Sequence, residues 1–429
     1  MRSKLFACLA ATALLSAAFA QAQTAWNFSC GSGKASHGSQ PIAGTIYSEK
    51  SGYGFDLGTT VTPDKKSCSS NQPFFFSLKV PEGNYTVTVT LGGDAADSTT
   101  TVRAEARRLM LEKIAVAASH SVKRTFIVNI RTPQISAAEK VRLKPREIGN
   151  LNWDDKLTLE FNGSNPSVRR IVIRKTDSVP VIYIAGDSTA VDQDNEPWAA
   201  WGQMLPRFFG PKIVVANNAE SGEDIRSFVS ENRLDKVMST MKAGDFFLMQ
   251  FAHNDQKPGP GFVSIPDYKA LMKHYIDETH KRGALPVLVT AMNRREFDDE
   301  GKIVNTLGDY PEATREVAKE ENVPLVDLNA MSKTLFDVLG PDGTLKAFVQ
   351  YPANTFPHQT MAIKDNTHFN SYGAYELARC VVEGIRQYPA LAKYLAHDAG
   401  SFDPAYPDPV NTWNLPASPF VSITTPYGR

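Results

Sequence analysis

Ser188 closes the run Val181-Ile182-Tyr183-Ile184-Ala185-Gly186-Asp187-Ser188, and far downstream Asp365-Asn366-Thr367-His368 sets a carboxylate and an imidazole three residues apart. A hydroxyl, a base and an acid that orients the base suffice for acyl transfer without metal or cofactor. Three residues apart on one turn, Asp365 and His368 can face the same way, so the carboxylate can fix the imidazole tautomer. Of the eight histidines, only His368 combines an acid at this spacing with a place just before a terminal helical pattern.

Gly186-Asp187-Ser188-Thr189-Ala190 comes close to the G-x-S-x-G nucleophile elbow, with Ala190 where the second glycine belongs. Taken alone, Gly-Asp-Ser at a strand end reads as a turn. Two other stretches add to it. In Phe251-Ala252-His253-Asn254-Asp255 the Asn254 amide can donate to a developing oxyanion, although Asn254 and Asp255 can equally cap a turn. In Asn217-Asn218-Ala219-Glu220-Ser221-Gly222 the glycine lets a backbone N–H approach a ligand closely, where a plain helix start is the simpler reading. No cysteine or histidine cluster has zinc-ligand spacing. Gly186-Asp187 and His253-Asn254-Asp255 have a superficial likeness to metallophosphatase motifs, but the further His and Asp ligands are missing from the other strand ends.

These residues need a scaffold, and the chain has two textures. Its 429 residues exceed one ordinary core, which favours two domains. Residues 23–178 carry short alternating strands: Tyr85, Val87, Val89 and Leu91 interleave with Thr86, Thr88 and Thr90. Turns such as Pro81-Glu82-Gly83-Asn84 separate them, so this part reads as an all-β sandwich. From 179 to 399 the apolar runs become continuous, at 181–185, 213–216, 246–251, 285–289 and 325–328. Helical periods lie between them, such as Tyr268, Leu271, Met272, Tyr275 and Ile276. Runs of this kind suit a parallel sheet buried on both faces, giving a three-layer α/β/α architecture with ligands at the carboxyl ends of the strands. Ser188, Gly222, Asn254 and Arg294 each follow one of the runs closely. Residues 400–429 hold six prolines among Phe402, Tyr406, Trp413 and Phe420, which predicts an extended strap lying on the domains.

Arg2 and Lys4 followed by an apolar run from Leu5 to Phe19 read as a signal peptide over residues 1–22, hence a secreted or periplasmic protein. In that setting Cys30 and Cys68 can form a disulfide, while Cys8 goes with the signal peptide and Cys380 is an unpaired, packed thiol in a helix. Lys plus Arg equals Asp plus Glu at 46 each, so nothing drives nucleic-acid or anionic-membrane binding, and no later run is long enough to span a bilayer.

Gly186-Asp187-Ser188, Gly222, Asn254 and Asp365-x-x-His368, in this order on an α/β half, resemble the four blocks of the SGNH (GDSL-type) hydrolases. The resemblance implies that Ser188 is the nucleophile and that Asp365 and His368 complete a triad. It also implies an oxyanion hole formed by the N–H of Ser188, the N–H of Gly222 and the amide of Asn254, with no cofactor. Ala200-Trp201-Gly202-Gln203-Met204-Leu205, Arg294-Arg295-Glu296-Phe297 and Asp365-Asn366-Thr367-His368-Phe369 are similar to rhamnogalacturonan acetylesterases. Trp26-Asn27-Phe28 and Gly52-Tyr53-Gly54-Phe55 resemble a galactose-binding-like domain that precedes some bacterial members. A secreted serine esterase that deacetylates the pectin backbone is therefore expected, with an acetylated plant cell-wall polysaccharide as partner. The alternatives are an esterase for another acylated glycan or small ester, and a non-catalytic carbohydrate-binding protein. On such a substrate Arg294 or Arg295 can hold a galacturonate carboxylate in a forked pair, or else form a surface salt bridge. Trp198 and Trp201 can stack on sugars, though Trp201 falls within a helical apolar pattern. Two departures stand out: Ala252 where the family has glycine, and Glu223-Asp224 where many relatives have arginine and serine.

Overall fold

The computed structural model describes residues 23–33 and 38–426, so the expected signal peptide and Cys8 lie outside the described residues. The first part is built from two sheets. One carries the strands Val122–Ile130, Gly83–Leu91, Ser167–Lys175, Ala25–Ser29 and Gln40–Pro41 in that order, with Thr62–Pro63 and Cys68–Ser69 at its margin. The other orders Tyr53–Asp56, Phe74–Lys79, Lys156–Ser164, Ser98–Ala104 and Arg108–Val116, all antiparallel. The alternation has its expected consequence. Tyr85, Val87, Val89 and Leu91 are fully buried and meet Phe28 from their own sheet and Phe76, Val102 and Phe161 from the other. Cys30 and Cys68 are joined by a disulfide within this sandwich, and Cys380 is free and buried in the helix Ser371–Ile385.

The second part is a parallel sheet of five strands, ordered Val214–Asn217, Val181–Gly186, Phe246–Gln250, Leu285–Val289 and Leu325–Val326. Continuous apolar runs form it because both faces are covered. Val181, Tyr183 and Ala185 face a core shared with the helix Ile265–Lys281, and Ile182 and Ile184 face one shared with Ser371–Ile385. The strand leading to Ser188, the first run in the chain, lies between the second and third runs. The chain therefore reverses its winding at that strand, and a crevice opens at its carboxyl end. Among the described residues no helix is long and apolar enough to cross a membrane.

The sandwich braces the loop that follows Ser188. At the turn joining Ser98–Ala104 to Arg108–Val116, Arg107 donates to the carbonyls of Gln193 and Trp198 at 3.2 and 2.8 Å and pairs with Glu196. Arg108 Nε donates to Asp192 Oδ2 at 2.6 Å, and Asp192 Oδ1 in turn accepts from the Asn217 amide at 2.7 Å. The chain after residue 400 runs extended across both parts. The Asn162 amide donates to the carbonyl of Ala417, Ser418 Oγ to Glu160, and Trp413 packs on Tyr372 and Tyr375.

Candidate active site

Ser188 lies two residues beyond the strand Val181–Gly186, in a turn closed by the N–H groups of Ala190 and Val191 on the Asp187 carbonyl. Asp187 shapes that turn. Its Oδ1 accepts from the Thr189 N–H and hydroxyl at 2.8 and 2.7 Å, and its Oδ2 lies 3.4 Å from His253 Nδ1. Burial raises the Asp187 pKa, yet the nearby His253 and the Thr189 donors outweigh it and hold the carboxyl below the ordinary value. A Cβ on Gly186 would come within 2.7 Å of the Gln250 carbonyl, so only glycine lets the strand turn here.

His368 Nε2 lies 2.8 Å from Ser188 Oγ, and His368 Nδ1 lies 2.8 Å from Asp365 Oδ2. Ser188 and His368 are 4 % and 8 % exposed. Asp365 Oδ1 accepts the N–H groups of Thr367 and His368, each at 2.8 Å. Burial pushes the Asp365 carboxyl up, and the bonds from His368 and the two backbone donors more than reverse it, so the group stays ionised well below neutrality. The acid and imidazole do not share a helical turn as expected. They lie on the strand Ile363–Phe369, whose pairing with Phe348–Tyr351 slips in register, and the slip turns two odd-spaced side chains the same way. Asn370 then caps the helix Ser371–Ile385 by accepting from Tyr372 and Gly373, which sets the chain direction immediately after His368.

Gly222 and Asn254 follow the two strands on either side of the serine strand. The backbone N–H groups of Ser188 and Gly222 donate to no acceptor among the described residues, and Gly222 has φ +82°, a conformation glycine adopts without strain. Asn254 Nδ2 donates to the Glu223 carbonyl at 2.9 Å, leaving its second N–H unused. Lys257, which no sequence motif marks, fixes that amide. The turn Asn254–Lys257 is closed by the Lys257 N–H on the Asn254 carbonyl, and Lys257 Nζ donates to Asn254 Oδ1 at 2.7 Å. An ammonium only donates and a carbonyl only accepts, so the two partners leave one orientation for the amide. The signal available in the sequence was the turn itself, with Asn at its first position.

Glu223 and Asp224, the departures in the second block, are structural. Glu223 is bonded to Lys144 of the sandwich and accepts from Ser227 Oγ at 2.6 Å, while Asp224 caps the helix Ile225–Ser230. The third-block departure is strained: Ala252 has φ +133°, and its N–H is tied to Asp255 Oδ2 at 2.8 Å. Ala252→Gly is expected to stabilise the fold by about 1 kcal/mol, being relief of ~1–3 kcal/mol of strain less glycine's entropic penalty. Thermal unfolding of the two proteins measures it, and a lower melting temperature in the variant would refute the strain.

The two arginines separate. Arg294 donates to the His253 carbonyl at 3.0 Å and to Thr306, forms no ion pair among the described residues, and feels the charges of Asp187 and Asp365. Arg295 turns away to the Pro341 carbonyl at 2.8 Å. Trp201 is core, as its helical pattern implies. Trp198 is no stacking platform either: it is 2 % exposed, with its indole N–H on the Ser422 carbonyl and its ring edge-on to His368. Among the described residues no three His, Cys, Asp or Glu side chains are grouped to hold a metal ion.

Residues 184–374 match the GDSL-like Lipase/Acylhydrolase family. The rhamnogalacturonan acetylesterase RhgT of Bacillus subtilis (strain 168) is 40% identical over 208 residues, 48% of this chain and 89% of that protein. The chain belongs to the GDSL-like lipase/acylhydrolase family. A probable rhamnogalacturonan acetylesterase, YesY of the same organism, is 33% identical over 48% of this chain and 92% of its own length. The crystal structure of B. subtilis YxiM covers 85% of this chain and 98% of that one at 25% identity, with a TM-score of 0.47. As a GDSL-like acylhydrolase the chain is a carboxylic ester hydrolase, and its parallel α/β half has the SGNH hydrolase fold.

Proposed function

We propose that the protein is an exported acetylesterase acting on acetylated rhamnogalacturonan, with Ser188, His368 and Asp365 as its triad. The observation that carries this reading is the unbroken chain of contacts from Ser188 Oγ through both imidazole nitrogens to Asp365, each link 2.8 Å. His368 Nε2 takes the hydroxyl proton as Ser188 Oγ attacks the acetyl carbonyl, and Asp365 stabilises the imidazolium. The oxyanion is held by the N–H groups of Ser188 and Gly222 and by the free N–H of the Asn254 amide. The tetrahedral adduct collapses, the sugar oxygen leaves with the proton from His368, and water repeats the attack to release acetate. RhgT's similarity supports the substrate class, and Arg294, a half-buried cation with no carboxylate partner among the described residues, supports recognition of a uronate. The disulfide Cys30–Cys68 and the N-terminal charge and apolar pattern support export. The sandwich, galactose-binding-like in its motifs, serves as the brace of the loop after Ser188.

The test is acetate release from acetylated rhamnogalacturonan, acetylated xylan and acetylated homogalacturonan by the whole protein. Equal or greater turnover on neutral xylan would overturn the uronate assignment. Within the site, Asn254→Ala is expected to lower kcat by about 100- to 1000-fold. Lys257→Met is expected to lower it about 10-fold by freeing the amide to flip, at roughly one hydrogen bond's net worth. Because Lys257 acts through Asn254, adding Lys257→Met to Asn254→Ala should cause no further loss; additive losses would remove Lys257 from the site.

A further inference from the structure

A cavity of about 330 Å³ opens where three distant stretches of chain meet beside the triad. Arg146 of the sandwich forms one wall, residues 191–195 and Ser221 form the floor, and residues 422–426 of the C-terminal strap form the roof. It adjoins the acyl site on two sides. Ser221 precedes Gly222, and Gln193 Nε2 donates to the Ser188 carbonyl at 2.9 Å. The roof is stitched in place: the N–H groups of Glu196 and Ser422 exchange bonds with the carbonyls of Phe420 and Glu196 at 2.8 and 2.9 Å.

The charged groups that line the cavity are each bonded within the protein, and burial pushes the Asp194 carboxyl up to about 6. Arg146 is bonded to Glu220 and to the Ser221 carbonyl, and Asp194 accepts from the Asn150 amide at 2.5 Å. The groups left without a partner are neutral. The Asn195 amide and the hydroxyls of Ser221 and Thr424 make no hydrogen bond among the described residues, and Ser221 is itself only 4 % exposed. A hydroxyl that the cavity reaches, on a residue otherwise buried, gives a polar ligand a group to bond. Amide and hydroxyl groups both donate and accept, as sugar hydroxyls do, and the volume lies at the small end of ligand sites.

We propose that this cavity is a glycan subsite that takes a neutral pyranose unit next to the acetylated sugar, an inference that rests on the glycan-esterase reading above. The sandwich and the strap then contribute to substrate binding directly.

Calorimetric titration of full-length Ser188→Ala protein with a rhamnogalacturonan oligosaccharide freed of acetyl groups measures the subsite without turnover. Adding Thr424→Trp, on the exposed strap, should fill the cavity and weaken Kd at least 10-fold, and adding Asn195→Ala should weaken it about 3- to 10-fold. An unchanged Kd in either variant overturns the subsite. Acetate release by the wild-type protein separates the two ideas. Release from acetylated rhamnogalacturonan together with an unchanged Kd leaves the esterase reading standing and removes the subsite, whereas no release from any glycan removes both.

Discussion

Ser188→Ala is expected to reduce kcat on p-nitrophenyl acetate by roughly a hundred-thousand- to a million-fold, and His368→Ala by a similar factor. The two residues act on one proton, so the double variant should be no worse than either single one. The alanine removes the partner of His368 Nε2 at 2.8 Å but leaves the turn on the Asp187 carbonyl and the bonds between Asp187 and Thr189 intact. Unfolding stability should therefore stay within about 1 kcal/mol of wild type. A fluorophosphonate should label the wild-type serine and fail on the alanine variant. Residual activity within 10-fold of wild type would mean that another nucleophile does the chemistry.

What the sequence made legible was what local pattern encodes. The five apolar runs became the five parallel strands because each was apolar on both faces, and the period of Tyr268 to Ile276 became the inner face of Ile265–Lys281. Ser188, Gly222 and Asn254 were recognisable because each follows the end of a parallel strand, where fold and chemistry coincide. Contacts across the fold left no such trace. Nothing in Lys144 or Arg107 reveals that the sandwich reaches Glu223 or the loop after Ser188, since those pairs are joined only after both halves fold. A three-residue slip in pairing is equally silent, so the Asp365–His368 spacing reads as a helical turn although a bulged strand delivers it. Arg294 and Arg295 are chemically identical neighbours, and their side chains diverge: one donates to the His253 carbonyl and the other to the Pro341 carbonyl.

The buried character of the second-block loop explains how this chain tolerates Glu223-Asp224. An acid at 223 meets Lys144 and Arg233, and both bases belong to the same cluster as Glu147, which receives Arg233 at 3.0 Å. Gly222 is thus held between a helix cap at Asp224 and a bridge to the sandwich at Ser221 and Glu223. The loop that presents a backbone donor to the site draws its rigidity from the other half of the protein. Isolating residues 179–429 should accordingly loosen this loop before it disturbs the serine strand.

Asp365→Asn should be nearly as damaging as loss of the serine is expected to be, at about 10,000-fold in kcat, with little change in fold. The loop requires an oxygen to accept the N–H groups of Thr367 and His368, which Asp365 Oδ1 now supplies twice at 2.8 Å. In the variant the single amide oxygen takes that place, and the amide NH₂ must face His368 Nδ1. Nδ1 then has to accept, the ring proton moves to Nε2, and Nε2 can no longer receive the proton of Ser188. Asp365→Ala imposes no tautomer, although it removes the acceptor of the Thr367 and His368 N–H groups as well as the charge, so at matched folding by circular dichroism it should retain more activity than the isosteric asparagine. That inverted order, smaller change and larger loss, separates tautomer control from simple charge removal. Steady-state kinetics on p-nitrophenyl acetate read it directly, and equal activity in the two variants would show that Asp365 acts on the imidazole through its charge alone.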